Sequence, residues 1–261
     1  MNVIQAGTNK APLFEYVDFS KNTLVLDDGS LIDGLKLPLR RKVTRFDYRE
    51  HTFNPLQGMD YKRARDFIAV IDALFPEGQN TLTRKNANFI LLNALLGKVS
   101  TLDRLLKPSK DPAAQDAYQK IATLMLSPVL KRVLCAPKNF SLKGVVLARL
   151  DRAELGDFDC FVLGNFLISQ FDGTVVVPDG GFYLRDHHTS LIRQGRLVAG
   201  VNTLSEVPVV LRHALLTIPK KIASGAIYPD AVELAYHAGL RPDPTRVDNP
   251  FNQFIDEAMK S

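Results

Sequence analysis

Two short apolar runs in series constrain this chain most. Thr174-Val-Val-Val-Pro178 ends on Asp179 and two glycines, and Leu197-Val-Ala-Gly-Val201 ends on Asn202. Neither run alternates polar with apolar, so each predicts a strand buried on both faces, as inside a parallel sheet. A polar loop, Gly180 to Thr189, and a short helix, Ser190 to Gln194, separate them. Strand, helix and strand in that order predict a βαβ unit. Open α/β sheets bind ligands at the carboxyl ends of their strands, where Asp179 and Asn202 stand. The alternative is an ordinary βαβ unit whose connecting loop is polar because it is solvated.

The rest of the chain fits the same class. Val145 to Leu150 predicts a further strand, adjacent and mainly parallel to the other two, with right-handed crossovers between them. Asp151 to Gly156 leads into a helix ending near Gln170, with Leu155, Phe158, Val162, Phe166 and Ser169 on one face. Upstream, Asn2 to Ala6, Leu13 to Val17, Thr23 to Leu26 and Val43 to Phe46 read as strands. Asp60 is placed to cap a helix from Tyr61 to Phe75, with Ala64, Phe67, Ile68, Ile71, Leu74 and Phe75 on one stripe. A helix over Arg84 to Leu96 is apolar on most faces in its second half, which predicts one wedged between layers. A short helix at Leu102 to Leu106 and a longer one at Ala113 to Leu126 follow. The stretch 61–126 has no strand signal and reads as a helical insertion in an α/β core made of 1–60 and 127–261. Val129 to Cys135 fits helix or strand. Leu211 to Ile218 reads as a helix-to-strand passage. Helices over Pro229 to Leu240 and from Asn249, with Pro250 at its first position, close the chain.

Composition removes several classes. With 261 residues, 46% hydrophobic and 23% charged, the chain can bury a full globular core. No apolar run approaches the roughly 18 residues of a membrane span. The first residues, MNVIQAGTNK, lack the pattern of a signal peptide, so the expected location is cytoplasmic. Two cysteines, Cys135 and Cys160, are too few for a disulfide framework or a four-cysteine zinc site.

Charge is unevenly placed. Nine basic residues (Lys36, Arg40, Arg41, Lys42, Arg45, Arg49, Lys62, Arg63, Arg65) face three acidic ones between 36 and 65, a net +6, whereas the whole chain carries +5. The entire excess therefore sits in one segment. Such a patch either binds phosphate backbones through counterion release or is a solvated face. Arg40, Arg41, Lys42 and Arg45 are the candidate contacts to DNA, which would be bound without sequence preference.

Three segments together resemble the P-loop ATPases of the FtsK/HerA type, the group of conjugative coupling proteins and viral packaging ATPases. They are Thr23-Leu-Val-Leu-Asp-Asp-Gly29 with Val43-Thr-Arg-Phe-Asp47 and Phe53-Asn-Pro-Leu56; Gly144-Val-Val-Leu-Ala-Arg-Leu-Asp-Arg-Ala-Glu-Leu-Gly156; and the central unit from Thr174 to Asn202. The resemblance implies a RecA-like, mainly parallel sheet flanked by helices, a homo-oligomer, ATP with Mg²⁺ as cofactors if active, and DNA as partner. It makes Asp179 the Walker B aspartate, which holds Mg²⁺ through water. It makes Asn202 the sensor that polarises the attacking water. Arg196, or Arg193, takes the place of an arginine reaching a neighbouring subunit's γ-phosphate.

The chain also departs from the pattern. A Walker A loop, G-x-x-x-x-G-K-[ST], is absent from the sequence. Gly7-Thr8-Asn9-Lys10 occupies a comparable place but lacks the first glycine, the length and the hydroxyl residue. Gly7, Thr8 and Lys10 are the only candidates there for binding nucleotide. Gly180 stands where similar ATPases carry a catalytic glutamate. Either Met1 to Gly7 supplies a replacement for the P-loop strand, or the sheet closes up in a changed order, or the loop lies upstream of this sequence. Three readings follow: a DNA-translocating or packaging ATPase with a degenerate nucleotide site, a non-hydrolysing structural or DNA-binding subunit, or an unrelated α/β enzyme. His187 and His188 with Asp179 and Asp186 form a weaker metal-site candidate beside a solvated loop. No G-x-S-x-G elbow is present, which argues against a serine hydrolase.

Overall fold

The computed structural model describes residues 3–6, 11–29, 43–76, 81–97, 99–136 and 140–216. The described strands are β1 (Val3–Ala6), β2 (Thr23–Asp27), β3 (Val43–Asp47), β4 (Val145–Arg149), β5 (Thr174–Val177) and β6 (Leu197–Val201). The helices are α1 (Tyr61–Leu74), α2 (Thr81–Leu96), α3 (Pro112–Leu124), α4 (Pro128–Leu134), α5 (Arg152–Leu155), α6 (Asp157–Gln170), α7 (Gly180–Tyr183), α8 (Thr189–Arg193) and α9 (Val209–Leu216). The chain divides into two compact units. One holds the described parts of 1–26 and 173–216; the other holds 27–29 and the described parts of 43–172.

In the first unit the strands run in the order β1-β6-β5-β2, and each neighbouring pair is parallel. Val175, Val176, Val177 and all five residues of β6 are buried, as uninterrupted apolar runs require. Residues 3–6 supply a strand, β1, which pairs with β6 from Val3 opposite Val198 to Ala6 opposite Val201. Two strand expectations need correction. Both edges of β5 are taken, by β2 and β6, so Val145–Arg149 does not pair with it. The reason is that Thr23–Asp27, buried at every position, is as apolar as β5 and claims that edge. Leu13 to Val17 is not a strand: Ala11–Tyr16 is a 3-10 helix. Pro12, with its fixed φ and no N–H, suits a first helical turn better than a sheet interior.

In the second unit β3 and β4 pair in parallel, Val43 opposite Val145 through Asp47 opposite Arg149. Just beyond β4, the N–H groups of Leu150 and Arg152 donate to the carbonyls of Asp27 and Asp28 at 2.7 and 3.0 Å. Within 61–126 the described residues are helical or irregular, with no strand among them. Helix α1 starts as its sequence predicts: the Asp60 side chain accepts the Arg63 N–H at 2.8 Å. It buries Ala64, Phe67, Val70 and Ile71, and Phe67 stacks on Phe166 of α6 with ring centroids 4.9 Å apart. Val129 to Cys135 resolves as helix α4, capped by the Ser127 hydroxyl on the Leu130 N–H at 3.2 Å.

Two helices differ from expectation. Helix α2 is not wedged between layers: it buries Ala87, Leu91 and Leu95, a single i, i+4, i+8 stripe, and leaves Phe89 65% exposed. Overall apolarity overstated its burial because Phe89 and Leu96 lie off that stripe. The helix after Asp151 is two pieces, α5 and α6, broken at Gly156, whose φ of +76° suits glycine. Nine consecutive residues of α6, Cys160 to Ile168, are buried, while Phe158 on the expected inner face is exposed. Leu211 to Ile218 is helical as far as it is described, in α9. The helices expected over Pro229 to Leu240 and from Asn249 lie outside the described residues.

The Asn54-Pro55-Leu56 turn is anchored from inside. The Asn54 side chain is buried, donates from Nδ2 to the Ser100 carbonyl at 2.7 Å and accepts the Leu56 N–H on Oδ1 at 2.9 Å. The second bond is the side-chain-to-backbone turn to which asparagine before proline is suited.

Candidate functional site at the carboxyl edge of the parallel strands

Because the strands of the first unit are parallel, their carboxyl ends share one edge. Val177 pairs with Ala199 and Ala6 with Val201, so Asp179 and Asn202 follow neighbouring strands, and the carboxyl end of β1 stands beside that of β6. This is the edge at which a sheet of this kind binds ligands. Asp179 is half-buried and its carbonyl accepts the N–H groups of Phe182 and Tyr183 at 3.2 and 3.3 Å, so α7 begins one residue beyond it. Asn202 is exposed. The structure brings these two predicted residues to the same edge.

The glycines after Asp179 have a steric cause. A Cβ on Gly180 would stand 2.8 Å from the Gly200 carbonyl oxygen and 3.2 Å from Val201 Cγ1. The start of α7 therefore lies directly on β6, and no side chain fits at position 180. A Cβ on Gly181 would run into the carboxylate of Glu206. That carboxylate accepts the Asn202 N–H on Oε2 at 2.9 Å. Glu206 is the site residue that motif reading missed. Its signal is present in the sequence as Thr203-Leu-Ser-Glu206, the spacing of a helix-start capping box. Its last three residues, Leu204–Glu206, form a 3-10 turn.

The remaining candidates lie elsewhere. Arg196 precedes β6 at its amino end; its Nε donates to the Gly173 carbonyl at 2.7 Å and its Nη1 to Gln194 Oε1 at 2.7 Å. Six residue steps along the strand, roughly 20 Å at 3.3 Å each, separate it from Asn202. Arg193 is exposed in the last turn of α8. Gly7, Thr8 and Lys10, and with them Arg40, Arg41 and Lys42, lie outside the described residues. Arg45 is exposed on β3 in the second unit, and Lys62 and Arg65 are exposed on α1.

The two histidines do not form a solvated loop. His188 is buried and its ring lies 4.0 Å from that of His187. Burial first, and then the charge of Arg185, pushes His187 down to about 4. Burial, with His187 and Arg185 nearby, holds His188 well below the ordinary histidine range. Both rings are neutral at pH 7. Among the described residues no group of three or more His, Cys, Asp or Glu side chains could hold a metal ion.

The fold defined by this sheet and its flanking helices is the RecA-like α/β class. Among solved structures it is similar to TrwBΔN70, a bacterial conjugative coupling protein in its unbound monoclinic form. That match has 12% identity and a TM-score of 0.53, and covers 82% of this chain and 66% of the other. It is also matched by the plasmid coupling protein TrwB in complex with ADP and Mg²⁺, at 10% identity and a TM-score of 0.47, covering 90% and 66%. This chain thus spans about two thirds of the length of those proteins, and at such identities the likeness is one of fold. Neither a protein-family profile nor a curated protein sequence matches the chain. No helix among the described residues is long and apolar enough to cross a membrane.

Proposed function

We propose that this protein handles DNA as a relative of the conjugative and packaging motors, with a degenerate nucleotide site. The observation that carries the reading is the pairing of Asp179 and Asn202 at neighbouring strand ends, in a fold similar to that of a coupling protein. The basic segment supports DNA as the partner. Its exposed members Arg45, Lys62 and Arg65 are free to meet phosphates, and a backbone-binding surface has no means of reading sequence. Assembly into a homo-oligomer belongs to the same reading.

The nucleotide site fits its ligand at one end and not at the other. Asp179, a half-buried carboxylate at the sheet edge, suits the water shell of a nucleotide-bound Mg²⁺, an ion that commonly keeps several waters. Bound there, Mg·ATP would supply the phosphoryl group and the charge-neutralising metal. Asn202, exposed at the neighbouring strand end, would orient a water beside it. Position 180 has no room for the acid that would take that water's proton. Glu206 is engaged with the Asn202 N–H. This geometry favours the non-hydrolysing form of the reading over an active motor.

Titration calorimetry with Mg·ATP tests it, run beside a phosphate-release assay with and without DNA. The expected result is no saturable heat at millimolar nucleotide and no turnover above background. Robust turnover abolished by Asp179→Asn would contradict the degenerate site.

A further inference from the structure

The first unit carries buried donors, on elements that pack against one another, that the strand-edge site does not use. Arg212, on α9, is 5% exposed, and its Nε and Nη1 have no hydrogen-bond partner and no ion pair among the described residues. Leaving two donors of a guanidinium buried without acceptors is costly in a protein interior. Helix α9 packs against α8 and against the 3-10 turn Asp186–His188. On that turn His188, 3% exposed, accepts the Arg185 N–H on Nδ1 at 3.0 Å. An imidazole whose Nδ1 accepts carries its proton on Nε2 when neutral. His188 Nε2–H is therefore a second buried donor, and it too has no partner. His187 Nε2 is likewise buried and unpartnered. The neighbouring carboxylates do not answer these donors: Asp186 is exposed and Glu206 accepts from Asn202.

We propose that Arg212 and His188 form a binding site for a phosphoryl anion between α9 and the Asp186–His188 turn. A tetrahedral oxyanion carries several acceptor oxygens and the opposite charge. It satisfies a guanidinium edge and an imidazole N–H together, which a water or a neutral ligand does less well. The site shares no residue with the strand-edge site and does not depend on the DNA reading. The same chemistry is offered by free phosphate, by a nucleotide and by a nucleic-acid backbone.

The test is thermal unfolding of the full chain in chloride buffer at constant ionic strength, with inorganic phosphate, magnesium-free ATP or an oligothymidylate strand added. Phosphate at ten times its dissociation constant raises the wild-type midpoint by roughly 3–5 °C, and Arg212→Met abolishes the rise. In chloride alone, Arg212→Met unfolds at the wild-type temperature or above it, because it replaces an unpaired buried charge with an apolar chain. An equal, Met-sensitive rise at lower concentration with ATP or with the oligonucleotide identifies that source; a rise with phosphate alone identifies the free anion. Three results overturn the proposal. These are no rise with any of the three over matched chloride, a rise unchanged in Arg212→Met, or an Arg212→Met protein that is less stable in chloride or does not fold.

Discussion

The N–H of Asn202 donates to the carboxylate of Glu206 at 2.9 Å, and that carboxylate lies over Gly181 where a Cβ would otherwise stand. One acidic side chain thus joins the end of β6 to the start of α7. Removing it by Glu206→Ala should cost about 0.5–1.5 kcal/mol, the range for an ordinary hydrogen bond. Gly181→Ala should cost a similar amount by displacing the same carboxylate. The two changes should not add: the double variant should be more stable than the sum of the singles predicts by at least ~0.5 kcal/mol in urea melts. Full additivity would show that the carboxylate does not occupy that space.

Gly180 carries a sharper prediction. Introducing an acid there, by Gly180→Glu, drives a Cβ to 2.8 Å from the Gly200 carbonyl oxygen. Main chain in a central strand does not yield as a flexible side chain does. The variant should be destabilised by about 1–3 kcal/mol, typical of overpacking, and should gain no phosphate release. A stable, hydrolysing Gly180→Glu protein would mean that α7 does not rest on β6 as described.

The buried histidines predict the acid limb of stability. Both pKa values are lowered on folding, His187 to about 4 and His188 well below its ordinary value. The unfolded chain therefore binds more protons than the folded one as pH falls below the ordinary histidine value of about 6.5. Stability contributed by the neutral rings is complete above that pH and declines from there down to the folded pKa values. Denaturant midpoints measured from pH 7.5 to 4.5 should fall, and His187→Gln should shallow the decline. An acid limb unchanged in that variant would exclude His187 as a contributor.

Asn54 is expected to matter for stability rather than for chemistry. Asn54→Ala removes two bonds from a buried position and should cost about 1–3 kcal/mol by leaving their partners unsatisfied. Asn54→Asp keeps the acceptor for the Leu56 N–H but sets a carboxylate against the Ser100 carbonyl, so it should not rescue. Rescue by aspartate in a thermal melt would count against the Ser100 bond.

Most of the fold was legible because its strands are apolar runs with nothing to confuse them. β5 and β6 needed only unbroken apolarity and β-branching, and Asp60 announced α1. Reading failed where apolarity alone was the guide. Phe89 and Phe158 are as hydrophobic as their buried neighbours, and only the partner surfaces decide that they stay outside. Strand order was likewise hidden: nothing in Val145–Arg149 says that β2 claims the edge of β5. At the site, Asp179 and Asn202 were visible as strand ends. The steric reason for Gly180 lies in Gly200, twenty residues away, and no local pattern records it. Arg212 gave no signal at all, since a single arginine in an apolar helix reads as a surface residue until its burial is known.

DNA binding under a salt series tests the central claim most directly. Filter binding should show affinity for duplex and single-stranded DNA without sequence preference, falling linearly in log–log form by about 0.9 per neutralised phosphate on duplex. Replacing Arg40, Arg41, Lys42 and Arg45 together by glutamine should flatten that slope, because each removes a candidate phosphate contact. No affinity at low salt for either form of DNA in a folded sample, or a slope that the four substitutions leave intact, would contradict the account.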